Sequence, residues 1–319
     1  MESMSAYMAT KIEKQNREKE ISERLVARLK TGITLEKALD GLSVQELIAV
    51  WQSAKKELED GKTSAEAAKN MKKGIRMIEK LVPARLEKLE NIYVLFDEFR
   101  HMPYYMTNGY ICIFSEKNYA QQACDILGKS QRIARLRAIE NRHIKTFYEQ
   151  AFSLYGAKGA MIDMWQNCLA FPPERLSDIE NHGFYMPKNP DLVRAVSMLQ
   201  QEDAYDGYYD EKEKFIKSLR LQAIHYLKTA EFILPEKHRG RKIDYPEVVK
   251  PGTKSPLAVP VFTDVAQYGI FYSGNAFKRR IVTITDLEKI SPQLFTINPG
   301  TLWFPLDKET IRKIKEHIK

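Results

Sequence analysis

The segments "GAMIDMWQNCLAFP" (residues 159–172) and "LFTINPGTLWFPL" (residues 294–306) decide how this sequence is organised. Each has an apolar run that ends in Ile-Asp or Ile-Asn, then a spacer, then a second apolar run that contains Phe-Pro. Short apolar runs separated by turn residues are typical of neighbouring β-strands. Because the same pattern occurs twice, we predict two related structural units in one chain.

Segments on either side of these two stretches also correspond. The order predicted for each unit is strand, helix, strand, helix, strand, strand, although "QRIARLRAI" (131–139) fits either a strand or a helix. The corresponding pairs are Phe114-Ser115 with Phe262-Thr263, Arg132-Ile133 with Arg280-Ile281, Ile162-Asp163 with Ile297-Asn298, and Leu169-Ala170-Phe171-Pro172 with Leu302-Trp303-Phe304-Pro305. We interpret these pairs as an internal duplication, and the alternative is a chance similarity between two runs of alternating strands.

Helical patterns dominate the start of the chain and recur between the two units. Ser43 and Glu46 have the spacing of a capping box, and an apolar helical face follows them. We therefore predict an α+β fold, in which an N-terminal helical domain is followed by two related mixed α/β modules. The predicted limits are 1–90 for the helical domain, 91–173 and 256–319 for the modules, and 174–255 for a helical insertion and linker. Within that insertion, the Pro-, Gly- and Lys-rich residues 235–256 indicate a linker.

Composition places the chain among soluble globular proteins. It has 319 residues, 44% of them hydrophobic, and a net charge of +8 in which acidic residues are interleaved with basic ones. The three cysteines have no paired spacing, which predicts neither a disulfide framework nor a zinc site and favours a reducing compartment. Because the sequence begins without an apolar signal core and lacks long apolar runs, we expect a cytoplasmic protein without membrane contact.

The sequence contains none of the familiar motifs for a cofactor, a metal ion or a catalytic centre. Walker-type glycine loops, GxGxxG after a strand, HExxH and GxSxG are all missing. The acidic "EDAYDGYYD" (202–210) lacks the ligand spacing of an EF-hand, and its tyrosines are more typical of a loop that contacts a partner. A nucleophile such as Cys112 or Cys124 would need a nearby base and an electropositive setting. We therefore expect no cofactor, no metal ion and no catalytic residue.

Candidate binding residues follow the strand ends of both units. They are Ser115 and Asp163 in the first unit, and Thr263, Asp264, Asn298, Pro299 and Gly300 in the second. A structural role explains each of them, since Ser, Thr and Asp cap helices and Asn-Pro-Gly favours a β-turn. The alternative is a set of ligand-facing loops, because ligands tend to bind at strand ends along one edge of an α/β sheet.

The second unit resembles a known family. The stretches "VPVFTDVAQYG" (259–269), "RIVTITDLEKI" (280–290) and "FTINPGTLWFPLD" (295–307) are similar to the N-terminal domain of the SseB family, named for enhanced serine sensitivity. Pro260-Val261-Phe262-Thr263 and Ile297-Asn298-Pro299-Gly300 carry the resemblance, which covers residues 257–310. Residues 92–172 resemble the family more weakly and have Asp163-Met164 in place of Asn-Pro. The resemblance implies α/β modules of this type but no reaction, because the family has no established chemistry.

The sequence is compatible with three functions. We expect first a non-enzymatic protein-binding or regulatory module that recognises another protein through a sheet rim or an open strand edge. The alternative is association with nucleic acid through the helical domain and two basic segments, with contacts from Arg239, Arg241, Arg279 and Arg280. The third is a small-molecule binding site or a hydrolytic enzyme, which requires convergent polar groups in a pocket. The identity of the partner and the oligomeric state do not follow from the sequence.

Overall fold

The chain folds into α-helices packed on mixed β-sheets, which confirms the predicted α+β class. The computed structural model describes residues 2–32, 36–98, 100–176, 187–250, 252, 256–272, 277–290 and 292–316. Its α-helices are α1 (Glu2–Thr31), α2 (Glu36–Asp40), α3 (Val44–Glu59), α4 (Ala65–Leu86), α5 (Lys117–Lys129), α6 (Ile144–Glu149), α7 (Pro190–Asp203), α8 (Lys212–Thr229), α9 (Val265–Phe271), α10 (Ile284–Lys289) and α11 (Lys308–Glu316). Its strands are β1 (Asn91–Asp97), β2 (Ile111–Phe114), β3 (Ala134–Glu140), β4 (Ala160–Ile162), β5 (Leu169–Phe171), β6 (Glu231–Arg239), β7 (Lys242–Asp244), β8 (Val259–Val261), β9 (Lys278–Thr283), β10 (Leu294–Ile297) and β11 (Phe304–Asp307). None of the helices in these described ranges has the length and apolar character needed to cross a bilayer.

Three long helices, α1, α3 and α4, form the N-terminal bundle. α3 begins where the sequence predicts it, because the Ser43 hydroxyl accepts a hydrogen bond from the Glu46 backbone N–H at 3.2 Å. The Glu46 carboxylate completes the capping box by accepting a bond from the Ser43 N–H at 2.8 Å. α1 and α4 come into close contact at Gly74, where a Cβ atom would lie 1.9 Å from the side chain of Leu29. A larger residue at this position would push the two helices apart.

The first α/β unit contains a five-stranded mixed sheet with the order β3-β1-β2-β4-β5. β1 runs antiparallel to both β2 and β3, β2 runs parallel to β4, and β4 runs antiparallel to β5. The segment that fits either a strand or a helix is the strand β3, which pairs with β1 along its whole length. α5 connects β2 to β3, and α6 with the π-helical turn Gln150–Leu154 connects β3 to β4.

The strands of the second unit have the same neighbours in the same directions. β8 runs parallel to β10, β10 runs antiparallel to β11, and β6 runs antiparallel to β9. Two backbone hydrogen bonds between Ile233 and Phe262, of 2.8 and 3.0 Å, join β6 to the end of β8 in the antiparallel direction. The resulting order is β9-β6-β8-β10-β11, which matches β3-β1-β2-β4-β5 strand for strand. The second unit therefore includes β6 and begins before residue 256, the predicted start of the second module.

Strand registers show which residues occupy matching places in the two units. Phe114 and Phe262 each pair with the third residue of the neighbouring antiparallel strand, β1 or β6. Ile162 and Ile297 each end the strand that runs parallel to β2 or β8. These two pairs of residues therefore stand where the sequence comparison places them.

The other two correspondences are wrong. Leu169 and Phe304 each pair with the last residue of the preceding strand, so Leu169 matches Phe304 rather than Leu302. Arg137 pairs with the fourth residue of β1, and Arg280 pairs with the fourth residue of β6. Arg280 therefore matches Arg137 and not Arg132, which the sequence predicts. Similar letters do not determine a register when the connecting loops differ in length.

The linker predicted at residues 235–256 is wrong over its first half, which forms a β-hairpin. β6 continues to Arg239, the chain turns at Gly240 (φ +63°), and β7 returns beside β6. Beyond the hairpin, Val248 and Ala258 bridge through two backbone hydrogen bonds of 2.9 Å. The Pro, Gly and Lys content indicates only that the segment is exposed. Because a linker and a surface hairpin are both exposed, composition does not distinguish them. Residues 177–186, 251 and 253–255 of the predicted insertion lie outside the described residues.

Two large hydrophobic cores run through the molecule. The first joins α1, α3 and α4 to one face of the first sheet, and α5 covers the opposite face. In the second core, α7 and α8 pack with the strands of the second unit. α7 also contacts the first unit, because Arg194 donates a hydrogen bond to the Gly156 carbonyl at 2.6 Å. Gln201 of α7 binds both the backbone N–H and the C=O of Tyr105, at 3.2 and 3.1 Å. α7 therefore connects the two units as well as covering the second one.

Candidate functional site

A buried polar contact closes the end of the first sheet. Asp163 directly follows β4, has a left-handed backbone conformation (φ +51°) and is fully buried. One of its carboxylate oxygens accepts a hydrogen bond from the Ser115 backbone N–H and the other accepts one from the Ser115 hydroxyl, both at 2.7 Å. Gln45, at the start of α3, donates a third hydrogen bond to this carboxylate. Asp163 thus joins β4, the β2–α5 turn and the helical bundle.

The second unit has the same contact, with an amide in place of the carboxylate. Asn298 (φ +46°) is buried, accepts a hydrogen bond from the Thr263 N–H at 3.0 Å and donates one to the Thr263 hydroxyl at 2.8 Å. The Thr263 hydroxyl donates in turn to Asp264 at 2.7 Å. Asp264 caps α9 by accepting a hydrogen bond from the Gln267 N–H at 2.9 Å, which confirms the predicted cap. Burial raises the pKa of Asp264.

The other structural predictions for these segments have different outcomes. Ser115 does not cap α5, which begins without a side-chain cap, because its hydroxyl is bonded to Asp163. Asn298, Pro299 and Gly300 form the predicted β-turn, since the Thr301 N–H donates to the Asn298 carbonyl at 2.9 Å. The seven predicted binding residues therefore fall into two clusters, one at the end of each sheet, whose polar groups mainly bond to one another.

An open cleft adjoins the Asp163 cluster. It lies between α1 and α3 on one side and the β2–α5 and β4–β5 connections on the other, and its volume is about 790 Å³. Ligand-binding clefts are typically about 300–1,000 Å³ in size. Six carboxamide side chains and two aromatic rings line the cleft: Gln45, Gln52, Asn118, Gln122, Gln166, Asn167, Tyr119 and Trp165. The cleft thus combines many hydrogen-bonding side chains with a comparable amount of apolar surface.

Polar contacts connect the two walls of the cleft. The Lys14 ammonium of α1 lies 2.5 Å from the Glu116 carboxylate, at the start of α5. The Asn167 amide donates a hydrogen bond to Glu18 of α1 at 3.0 Å. α1 is therefore attached to the first sheet on the side where the cleft opens, and its position determines the width of the cleft.

Burial and hydrogen bonds shift the pKa values of groups around the cleft. Loss of water raises the pKa of Asp163 to about 6, although its hydrogen bonds act in the opposite direction. Burial also raises the pKa of Glu18, and it raises the pKa of Tyr119 to about 12. Burial alone would lower the pKa of Lys14, but its hydrogen bonds to Glu116 and Tyr119 raise it. Clefts that contain several perturbed ionisable groups are candidates for functional sites.

Two left-handed residues lie next to the cleft. Asp163 (φ +51°) and Trp165 (φ +67°) both adopt the left-handed backbone conformation, which is uncommon for residues other than Gly, Asn and Asp. The Trp165 side chain is 36% exposed at the cleft, an unusual amount for so large an apolar ring. Strained backbone of this kind concentrates at ligand-binding sites.

The six amides escape detection in the sequence because they come from separate segments. Gln45 and Gln52 lie on α3, Asn118 and Gln122 on α5, and the remaining two follow β4. Nothing in the spacing of these residues indicates that they share a cleft. The only sequence signal near the site is the pair Ser115 and Asp163, and Asp163 reaches the cleft wall through Gln45.

The four predicted basic contacts lie in the second unit. Arg239 ends β6, Arg241 follows in the β6–β7 turn, and Arg279 and Arg280 lie in β9. All four are exposed. The structure places them on neighbouring strands, although the two sequence segments are far apart.

The thiols do not have the properties of a nucleophile. Burial raises the pKa of Cys112, of Cys124 and of Cys168, the last to about 11. Each side chain is therefore a protonated thiol at neutral pH, the less reactive form. Across the described ranges, no three His, Cys, Asp or Glu side chains are grouped so that they could hold a metal ion.

The tyrosine loop after α7 packs mainly against the protein itself. The Arg132 guanidinium lies 4.2 Å from the centre of the Tyr205 ring and binds Glu202 through two hydrogen bonds of 2.7 and 3.1 Å. The Tyr209 hydroxyl donates to Glu202 at 2.9 Å. These contacts keep Tyr205 and Tyr209 partly buried, whereas Tyr208, 85% exposed, projects away from the protein, and a partner-facing loop stays a prediction.

Comparisons of this chain with protein-family models, with curated proteins and with solved structures give no match.

Proposed function

We propose that this protein is a non-enzymatic recognition module that binds an extended, polar peptide segment of a partner protein in the cleft. The observation that carries the proposal is the concentration of five carboxamides that are at least partly exposed, together with the exposed Trp165 ring, around one open cleft of about 790 Å³. Gln45 also lines the cleft, but it is buried and bonded to Asp163. The proposed partner is another protein, as the sequence predicts, but the proposed binding site is a cleft rather than a sheet rim or a strand edge.

Carboxamides suit a peptide because of their hydrogen-bonding groups. Each carries a two-hydrogen donor and a carbonyl acceptor, so one side chain can bind both a backbone N–H and a backbone C=O. An extended peptide presents these two groups along its whole length, and they must be paired when they leave water. Trp165, which is 36% exposed, adds flat surface on which an apolar side chain of the peptide can pack, whereas Tyr119 is buried and has the Lys14 ammonium over its ring.

The charges of the cleft favour a segment without a strong net charge. Two lysines and three glutamates line it, Lys14, Lys19, Glu18, Glu23 and Glu116, which sum to −1. Both signs occur on the α1 wall, and Lys19 and Glu23 are exposed. A strongly anionic or cationic ligand would meet repulsion from one of the two sets.

Panning a random dodecapeptide display library against the intact chain tests the proposal. Selected peptides should lose at least tenfold in affinity when Trp165 and Asn118 are both replaced by Ala, because truncating a central aromatic contact costs more than about 1.4 kcal/mol. Asn118 is exposed and Trp165 is partly exposed, so the double variant should keep the fold. Isothermal titration of synthetic versions of the peptides gives the affinities.

A matched control removes the same side-chain types elsewhere. Tyr208→Ala combined with Gln222→Ala deletes an aromatic ring and a carboxamide that do not line the cleft. Selected peptides should bind this variant as they bind the unchanged protein. Peptides that bind the cleft variant and the control equally well, or a library that yields no specific binder, would contradict the proposal.

We also infer that the two α/β units arose by duplication of one module. Two observations support this inference. The strand order is the same in both units, and the contact of Asp163 with Ser115 recurs as the contact of Asn298 with Thr263. The resemblance of the units to the SseB family stays a prediction.

A further inference from the structure

Three strands bring the two basic segments of the sequence next to each other. β6 pairs with β9 through residues 231–236 and with β7 through residues 237–239. Lys278, the first residue of β9, therefore lies beside Glu236, and the basic hairpin follows directly along β6. We define the basic ribbon as residues 236–244 and 278–280.

The basic ribbon carries a large share of the net charge of the chain. Its seven cationic side chains are all exposed: Lys237, Arg239, Arg241, Lys242, Lys278, Arg279 and Arg280. Its acidic residues are Glu236 and Asp244, so with a neutral His238 the ribbon has a charge of +5, against +8 for the whole chain. Asp244 lies 2.9 Å from Arg239 and 3.6 Å from Lys242, which leaves most of the positive charge uncompensated.

The cations of β9 point to both sides of an outer strand. β9 is the last strand of its sheet and pairs only with β6 among the described residues. The Arg279 guanidinium lies over the Tyr268 ring at 4.7 Å, on the side where α9 packs. Because side chains alternate along a strand, Lys278 and Arg280 point to the other side, and Arg280 lies 3.9 Å from Glu236.

We propose that the basic ribbon binds the phosphate backbone of nucleic acid. The cations extend over about six residues of β6, or about 20 Å at about 3.3 Å per residue. A strand of duplex nucleic acid places about six phosphates in that distance, at about 3.4 Å each. This number is close to the charge of the ribbon. Four of the seven cations are arginines, whose planar guanidinium groups bind phosphate through two parallel hydrogen bonds.

An acidic peptide fits this surface less well. Such a peptide would add to the open edge of β9 as a further strand and would lie beside Lys278, Arg279 and Arg280. The remaining four cations belong to the hairpin, which β9 does not reach, because β9 pairs with β6 only as far as Glu236. A nucleic-acid backbone can follow both the strand and the hairpin, so it would reach cations of both segments.

Fluorescence anisotropy with the intact chain tests the proposal. The probes are a labelled duplex of 20 base pairs and a labelled single strand of the same sequence, titrated between 50 and 200 mM KCl. Neutralising about five phosphates gives a slope near −4.5 for the logarithm of the duplex association constant against the logarithm of salt concentration. Affinity should therefore fall by about 500-fold over this fourfold change in salt. A scrambled probe sequence should bind equally well, because contacts to phosphate carry no sequence information.

Two variants and a matched control locate the site. Replacing Arg239, Arg241, Arg279 and Arg280 by Ala removes four charges and should reduce the slope to about −1. Arg241→Ala with Lys242→Ala changes only the exposed hairpin turn, should preserve the fold, and should reduce the slope by about 2 units. The control removes four exposed cations of α4, with Lys72, Lys73, Arg76 and Lys80 replaced by Ala, and should leave the slope unchanged.

Any of three results would overturn the proposal. The first is a slope shallower than −2 for the unchanged protein, and the second is an equal loss of affinity in the α4 control. The third is saturable binding of a labelled dodecaglutamate peptide that the oligonucleotides do not displace, which would assign the ribbon to an acidic protein. None of these results bears on the peptide-binding cleft, because none of the substituted residues lines it.

Discussion

Replacing Asp163 by Asn is expected to stabilise the protein above about pH 5, although Asp163 makes three hydrogen bonds. The carboxylate is fully buried and accepts hydrogen bonds from the Ser115 N–H, the Ser115 hydroxyl and Gln45. An asparagine can keep this network. Its oxygen would accept from the Ser115 N–H and its amide would donate to the Ser115 hydroxyl, as Asn298 does with Thr263. Gln45 needs only to rotate its carboxamide to present the oxygen.

The magnitude follows from the pKa of the carboxylate. Burial raises the pKa of Asp163 from its ordinary 3.8 to about 6. A raised carboxyl pKa means that the folded state holds its proton more tightly than the unfolded state. Stability from this group is therefore fully present below pH 3.8 and is lost as the pH rises through about 6. A shift of about 2 pKa units corresponds to about 3 kcal/mol. The penalty should be below about 1 kcal/mol at pH 4 and about 3 kcal/mol above pH 7.

Urea unfolding of the two proteins at pH 4, 5, 6, 7 and 8 measures this difference. The free energy of unfolding of Asp163→Asn minus that of the unchanged protein should increase by about 2–3 kcal/mol between pH 4 and pH 7 and then level off. A difference that is constant with pH would refute the reasoning, because it would show that the carboxylate keeps an ordinary pKa in the folded state. A variant that is less stable at every pH would show that the hydrogen bonds, not the charge, dominate.

The reciprocal change, Asn298→Asp, is the matched control. It introduces a carboxylate at the corresponding place in the second unit, where it would replace a donor to Thr263 and lie near Asp264. This variant should be less stable than the unchanged protein, and the loss should be larger at pH 8 than at pH 4.

Two further substitutions test the contacts between the units. An alanine in the left-handed conformation costs about 1–2 kcal/mol. In thermal unfolding, Gly156→Ala should destabilise the protein by at least twice as much, because at φ +70° its Cβ would lie 2.1 Å from the Pro190 carbonyl oxygen. Gly61→Ala, at φ +67° with open space around it, should show the backbone penalty alone in the same assay, and equal losses would contradict the steric argument. Arg132→Ala should cost about 3–5 kcal/mol in urea unfolding, since it leaves the 4% exposed Glu202 carboxylate without its cation. Adding Glu202→Gln should recover much of the loss, and an effect of Arg132→Ala below about 1 kcal/mol would rule out a structural role for the pair.

Much of the local structure could be predicted because its causes are local. The start of α3 depends on Ser43 and Glu46, which lie within one helical turn. The Asp264 cap and the Asn298 turn depend on residues within three or four positions of each other. Apolar runs also indicated buried strands such as β2 and β10, whose side chains lie in the cores. The exposed hairpin after β6 was missed since it lacks such a pattern.

The amino-acid sequence by itself determined the start of α3, the cap of α9 and the turn at Asn298, and it indicated two similar units after a helical start. The tertiary structure alone decided the strand registers, the cleft and the basic ribbon. Each of these depends on residues that are distant in the chain, such as Gln45 with Asp163, or Glu236 with Lys278. The physical reason is the range of the forces involved. Caps and turns are hydrogen bonds between near neighbours, whereas a cleft or a charged surface exists only after the cores have packed and brought separate segments together.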